Sequence, residues 1–282
     1  DHRDLHSFPT RRSSDLFEGR RRNAERGDKE DQYAVGLAYA KGEGAPADLA
    51  AAAKWWRQAA AQGHPEAQLR LGLACAEGQG VEKNAGEAAK WFRLSAEQGH
   101  IKAQFYLGQV LAEGLGVEKN LPEAAKWMRK AAEQGVVNAQ VSLGMLYWQG
   151  RGVPADITEA IQWFQRASER DNVNAQLNLG LLYENSPPPH QNLAEAAKWY
   201  RTAAAKGDAD AQIRLASLCA EGRGAPKDLA EAARWLRKAA DQGNSTAQVK
   251  LGVAYLDGQG VDKNPQEALK WFQQAADKGD AG

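Results

Sequence analysis

Few side chains in this chain could do chemistry, and their spacing decides what that chemistry is. The thiols are Cys75 and Cys219, in the same column of a repeat and four repeats apart. Stacked repeats hold such residues beyond the roughly 7 Å between Cα atoms that a disulfide tolerates. Both are expected to be small buried core residues rather than redox or metal groups. Past residue 16 the histidines are His64, His100 and His190. His64 and His100 share a turn column, held elsewhere by Val, Asn or Asp, and are expected to face solvent. No HExxH, CxxC or phosphate-binding Gly loop with its Lys occurs. Pairs of Asp or Asn with Glu three residues on recur once per repeat, which is how helix caps are used. A general acid–base couple would instead converge at one place. The reading is therefore of a non-catalytic chain, with no catalytic, cofactor-binding or metal-ligating residues and no cofactor.

The positioning elements follow from a strict period of 36 residues. Trp stands at 55, 91, 127, 163, 199, 235 and 271, and Gln at 32, 68, 104, 140, 176, 212 and 248. Internal repeats of this length signal stacked supersecondary units. In one repeat, Leu71 and Cys75 lie four apart beside Gly72, which is helical spacing. Gly recurs at 36, 108, 144, 180 and 252, with Ala216 the exception. A helix-interior Gly costs roughly 1 kcal/mol, so a second helix must pack close there. Gly78-Gln79-Gly80 then ends the first helix. Asp48, Asn84, Asn120, Asp156, Asn192, Asp228 and Asn264 are good N-caps for the second. Glu three residues later in six repeats predicts a capping box. Ala88, Trp91, Phe92 and Ser95 trace an apolar stripe that Gly99 closes, and truncating a buried Trp should cost about 3–5 kcal/mol. The Gln column is expected to satisfy loose backbone groups between repeats. Lys and Arg beside Trp, such as Lys90 with Arg93, are expected on a solvated face.

Composition limits the partners. The 36 basic and 36 acidic residues cancel, which argues against nucleic acid or an anionic membrane as the main partner. No apolar run approaches the roughly 18 residues of a membrane-spanning helix. Residues 1–16, DHRDLHSFPTRRSSDL, resemble a translated sequencing adapter and are expected to be disordered. Residues 17–30 read as the remnant of a truncated repeat. Residues 31–282 read as seven repeats starting near 31, 67, 103, 139, 175, 211 and 247. Lys278 to Gly282 stop where another Ala-Gln would begin, so both ends are expected to be uncapped. Self-association through those ends, with the Trp271 and Phe272 side exposed, follows as an expectation. The compartment is not legible.

The pattern AQ-x-x-LG-x-x-Y, then G-x-G-V-x-x-[DN], then EAAKW-x-x-x-AA-x-x-G, resembles the Sel-1-like repeat family, which is tetratricopeptide-like. The resemblance implies an all-α, right-handed α-solenoid of seven 36-residue helix-turn-helix repeats, an α/α superhelix with its first helices on the concave side. It also implies a bacterial scaffold or adaptor that binds a protein or peptide. Cysteine-rich relatives imply an envelope-associated, β-lactamase-like hydrolase as an alternative, but this chain lacks their paired cysteines. A further alternative is an architectural part of a longer multidomain protein.

Carrying the concave columns over from that resemblance places Leu73, Gln109, Met145, Leu181 and Ser217 in one line. Ala76, Ala112, Trp148, Glu184 and Ala220 form a second. Trp148 stands where most repeats have Ala. The expected partner-binding residues are Gln109, Met145, Trp148, Gln149, Glu184 and Asn185, centred on the third to fifth repeats. The fifth repeat also replaces its Gly turn by Asn185-Ser186-Pro187-Pro188-Pro189-His190-Gln191. Asp171 stands there where Gly is expected, so residues 169–192 are expected to stack irregularly.

Overall fold

The structure, a computed structural model, describes residues 11–279, and these form fifteen α-helices with no strand among them. Two compact units divide the chain. The first takes the residues up to 139 together with 151–153, and the second takes 140–150 and 154 onward. The first holds α1 (Arg11–Glu25), α2 (Lys29–Lys41), α3 (Leu49–Ala61), α4 (Pro65–Glu77), α5 (Ala85–Glu97), α6 (Ile101–Glu113) and α7 (Leu121–Glu133). Most of α8 (Val137–Gln149) opens the second, followed by α9 (Ile157–Ser168), α10 (Val173–Asn185), α11 (Leu193–Ala205), α12 (Ala209–Glu221), α13 (Leu229–Asp241), α14 (Ser245–Asp257) and α15 (Pro265–Gly279). From α1 to α7, and from α9 to α15, each helix packs on its neighbours in chain order. This is an all-α solenoid of paired helices.

The helix-interior glycines pack as their cost requires. A Cβ on Gly72 would lie 2.6 Å from the Phe92 ring, and Gly36 meets Trp56, Gly108 Met128, Gly144 Phe164, Gly180 Tyr200 and Gly252 Phe272 in the same way. The side chain seated on each Gly belongs to the column one residue after the conserved Trp. Phe92, Phe164 and Tyr200 are at most 1 % exposed, whereas Trp55, Trp91, Trp127, Trp199 and Trp235 are only half-buried. The expected stripe is buried at Ala88, Phe92 and Ser95 but only half-buried at Trp91, and of the Trp column Trp163 is among those that do reach the core. Trp271 is itself buried and Phe272 half-buried, so that side is less open than expected.

The Gly-x-Gly pair does two jobs. Gly42, Gly78, Gly114, Gly222 and Gly258 close the first helices in the left-handed conformation. The second Gly answers to sterics between repeats. A Cβ on Gly80 would stand 2.1 Å from the Leu49 carbonyl oxygen, and Gly116, Gly152, Gly224 and Gly260 press as closely on Ala85, Leu121, Leu193 and Leu229. Only Gly allows that approach of backbone to backbone.

The second helices start at the expected caps, with each Asp or Asn accepting from the amide three residues on. The capping box does not close. The cap's own N–H donates to a first-helix carbonyl instead, Asn84 to Cys75 and Asp228 to Cys219 for example. With that donor already satisfied, the Glu side chains are free to work elsewhere.

Three further expectations change. His64 is buried and His100 half-buried, and each caps a first helix. Their Nδ1 atoms accept from the Ala67 and Ala103 amides, and their Nε2 atoms meet Glu30 at 3.0 Å and Glu66 at 2.5 Å. An acceptor Nδ1 leaves the proton on Nε2, where it donates to the carboxylate. Asp171 adopts φ +61°, the left-handed turn that Gly takes in the other repeats, and Asn172 still donates to Ala167. The turn backbone thus keeps the common form, although α9 is one residue shorter than α7 and α11. Residues 11–16, expected to be disordered, form the first turns of α1, which Phe17 anchors by an edge-on contact with Tyr39. The rest of the 1–16 segment, like residues 280–282, lies outside the described residues.

Candidate binding surface

Between repeats a polar relay accompanies the apolar contact. Glu87 accepts from the Trp91 indole N–H at 3.2 Å and pairs with Arg57 at 3.0 Å. Glu123 does the same with Trp127 and Arg93, and Glu231 with Trp235 and Arg201. Arg93 is therefore not simply solvated. Its bond holds the Glu123 carboxyl below its ordinary value, with the Trp127 hydrogen bond adding to the effect. The Glu231 carboxyl is lowered chiefly by Arg201 and then by Trp235. Where the Arg is missing or engaged, the relay fails. Gln165 stands in the Arg column before Glu195, which turns to Lys198, and Trp199 Nε1 keeps no partner among the described residues. Arg237 instead bonds the Tyr255 hydroxyl, Glu267 turns to Lys270, and Trp271 Nε1 is left likewise.

The Gln column does what its position implies. Gln68 Nε2 donates to the Ala60 carbonyl of the preceding helix, and its Oε1 accepts from Gln98 at 2.8 Å. Gln32, Gln104 and Gln212 repeat the pair of bonds. Lys206 replaces the donating Gln in the fifth repeat and pairs with Asp171, so Gln176 Oε1 has no partner among the described residues. Both thiols are buried and free, and burial pushes them up from the ordinary thiol value.

The candidate partner-binding residues fall as follows. Met145, Trp148 and Gln149 share one face of α8, with Met145 and Trp148 half-buried and Gln149 exposed. Glu184 and Asn185 occupy the corresponding register on α10 in the same unit. Glu184 is already engaged: it accepts from the Tyr200 hydroxyl at 2.5 Å and meets Arg214 at 3.4 Å. Burial first, and then this carboxylate, push the Tyr200 hydroxyl far up, so it stays a donor. Asn185 is exposed and donates to the Leu181 carbonyl. Gln109 is half-buried on α6 in the other unit, at the register of Met145. The Pro-rich loop ends α10 at Ser186 without a left-handed residue, yet Asn192 still donates to Tyr183 as the other caps do.

One opening in the second unit answers to no reading of the motifs. Ala216, Ser217, Ala220, Ala232, Leu236, Val249 and Val253 surround a cavity of about 260 Å³. The signal for it was in the columns: Ala216 and Leu236 are the sole joint departure from the pairing of Gly with a larger group.

Among the described residues no three His, Cys, Asp or Glu side chains gather to hold a metal, and no helix is long and apolar enough to cross a membrane. What remains is a helical-hairpin repeat protein whose conserved polar groups hold repeat to repeat. The Sel1 repeat model matches seven times, over residues 30–64, 65–100, 101–136, 137–172, 173–208, 209–244 and 245–280, and the chain belongs to the Sel1 repeat family. Among solved structures it is similar to a protective antigen of uropathogenic Escherichia coli strains displaying an SLR fold. That likeness has 35 % identity and TM-score 0.84, covering 94 % of this chain and 57 % of that one. It is also similar to a Sel1 repeat protein from Oxalobacter formigenes, at 32 % identity and TM-score 0.76, covering 98 % and 80 %. No curated protein matches by sequence. The family and these neighbours support a protein-interaction scaffold in general, a fold that is typically non-catalytic.

Proposed function

We propose that the chain is a non-catalytic scaffold that binds a peptide or protein segment along its first-helix face, anchored at α8. The observation that carries this is the partly accessible Trp148, in a column where four other repeats carry Ala, one turn from the partly accessible Met145. Large aromatic side chains supply a disproportionate share of binding energy at interfaces. Gln149, exposed beside them, offers an adaptable hydrogen-bonding edge. On α10, Asn185 extends that edge, whereas Glu184 serves it as a fixed acidic group held by Tyr200 and Arg214. Gln109 belongs to the same register in the other unit and is a secondary candidate.

The test is quantitative capture of a partner by the purified chain, compared with Met145→Ala/Trp148→Ala. Loss of a hot-spot Trp removes about 2 kcal/mol or more, close to a thirtyfold weakening. A partner bound equally well by the double variant would overturn the assignment of this face. Glu184 is left intact in that experiment, because replacing it would orphan Tyr200 and confuse binding with folding.

A further inference from the structure

In six of the seven repeats the side chain after the conserved Trp seats on the small residue of the first helix: Trp56, Phe92, Met128, Phe164, Tyr200 and Phe272, each against Gly. The sixth repeat pairs Ala216 with Leu236. A leucine carries no ring, and the added methyl of Ala216 does not replace one. Ser217 compounds the loss, standing in a column that holds Leu73, Met145 and Leu181 elsewhere. The three departures fall at one place, and there the cavity of about 260 Å³ opens.

Its walls include Ala216 and Leu236, the columns that hold Gly and the seated side chain in the other repeats. Ala232 occupies the column of Ala52, Ala88 and Ala124, whose carbonyl oxygens stand 3.1–3.4 Å from where a Cβ on Gly36, Gly72 or Gly108 would lie. Ala232 is 4 % exposed, against at most 1 % for Ala52, Ala88, Ala124, Ala160 and Ala196, while Leu236 at 9 % compares with 7 % for Trp56, 4 % for Met128 and at most 1 % for Phe92, Phe164 and Tyr200. On α14 the apolar wall runs out to the surface through Val249 and Val253, both more than 40 % exposed. Lys250 stands on the rim and has no acidic partner among the described residues, while Glu221 is held by Arg223.

We infer that this pocket between α12, α13 and α14 is a second binding site, which takes a phenylalanine side chain of a partner peptide with a carboxylate next to it. The ring is identified by the repeat itself, since five of the six other repeats place an aromatic group there from their own chain. The volume agrees: an apolar cavity of roughly 150 Å³ accommodates benzene. The neighbouring carboxylate is identified by Lys250. This inference rests on the reading of the chain as a peptide-binding scaffold, but not on the α8 face.

The experiment uses the full chain and a synthetic peptide, acetyl-Gly-Asp-(4-fluoro-Phe)-Asp-Gly-amide, followed by fluorine NMR. A single side chain in an open pocket should bind near a millimolar Kd, about −4 kcal/mol. Line broadening and a shift of the fluorine signal are expected with the native chain. Ala216→Gly/Leu236→Phe restores the common pairing, so it fills the pocket from within and should raise Tm by a few degrees. The same double variant should weaken peptide binding at least tenfold, and Lys250→Gln should weaken it severalfold. Met145→Ala/Trp148→Ala should leave it unchanged, which separates this site from the α8 face. An unaltered fluorine signal with the native chain, or binding retained by the filled variant, overturns the inference.

Discussion

Trp91 and Phe92 stand side by side, yet burial gives them different work. Phe92 is 1 % exposed and seated on Gly72, so Phe92→Ala should cost about 3–5 kcal/mol. Trp91 is half-buried with its indole N–H on Glu87, so Trp91→Ala should cost clearly less. Chemical denaturation of the two variants checks the order, and equal losses would sink the assignment of the core column. The Trp column is legible in the sequence because Trp is rare and strictly spaced. The ring column is harder to see, since it accepts Trp56, Phe92, Met128 and Tyr200 alike. What unites those residues is the absent Cβ opposite, and that is a property of two positions together. The burial of His64 is illegible in the sequence for a related reason. Its capping role depends on Nδ1 facing the Ala67 amide and Nε2 facing Glu30 from the preceding repeat.

At the scale of the element, the glycine after a second helix and the second glycine of the Gly-x-Gly turn differ in what they tolerate. Gly99 has open space where a Cβ would go, although its φ of +86° still disfavours a side chain. Gly80 has both the left-handed φ and the Leu49 carbonyl in the way. Gly80→Ala should therefore destabilise by more than Gly99→Ala, by roughly 1–3 kcal/mol beyond the backbone strain common to both. Thermal unfolding of the pair decides it, and equal losses would mean that the turn relaxes away from α3. Helix existence, the N-caps and the turn glycines were legible because each depends on local chain chemistry. The unclosed capping box was not, because the cap amide is satisfied by a carbonyl that only the folded turn brings near. The candidate surface on α8 was legible as an outlier column, whereas the pocket beside Leu236 arises from three modest departures on two helices.

For the whole molecule, the Arg–Glu–Trp relays set the response to acid. The folded carboxyls of Glu123 and Glu231 lie below the ordinary glutamate value of 4.5. A lowered folded value gives stabilisation that is present above the unfolded value and lost as pH falls through the folded one. Stability should accordingly decline on acidification below about pH 4.5 in both compact units, Glu123 lying in one and Glu231 in the other. Each relay is partly solvated, so each contributes no more than about 1 kcal/mol. Glu123→Gln/Glu231→Gln should flatten part of the acid limb while lowering stability at neutral pH. An unchanged pH profile would show that the relays do not couple protons to folding.

In five of the seven repeats the turn between the two helices is pinned twice, by a glycine pressed on the preceding helix pair and by a cap amide tied back to the first helix. The fifth repeat, with its three prolines, gives up the glycines yet keeps the tie from Asn192 to Tyr183 and the same number of residues. A connector fastened this way behaves as a gauge block: its composition can drift, but its length sets the pitch from one hairpin to the next.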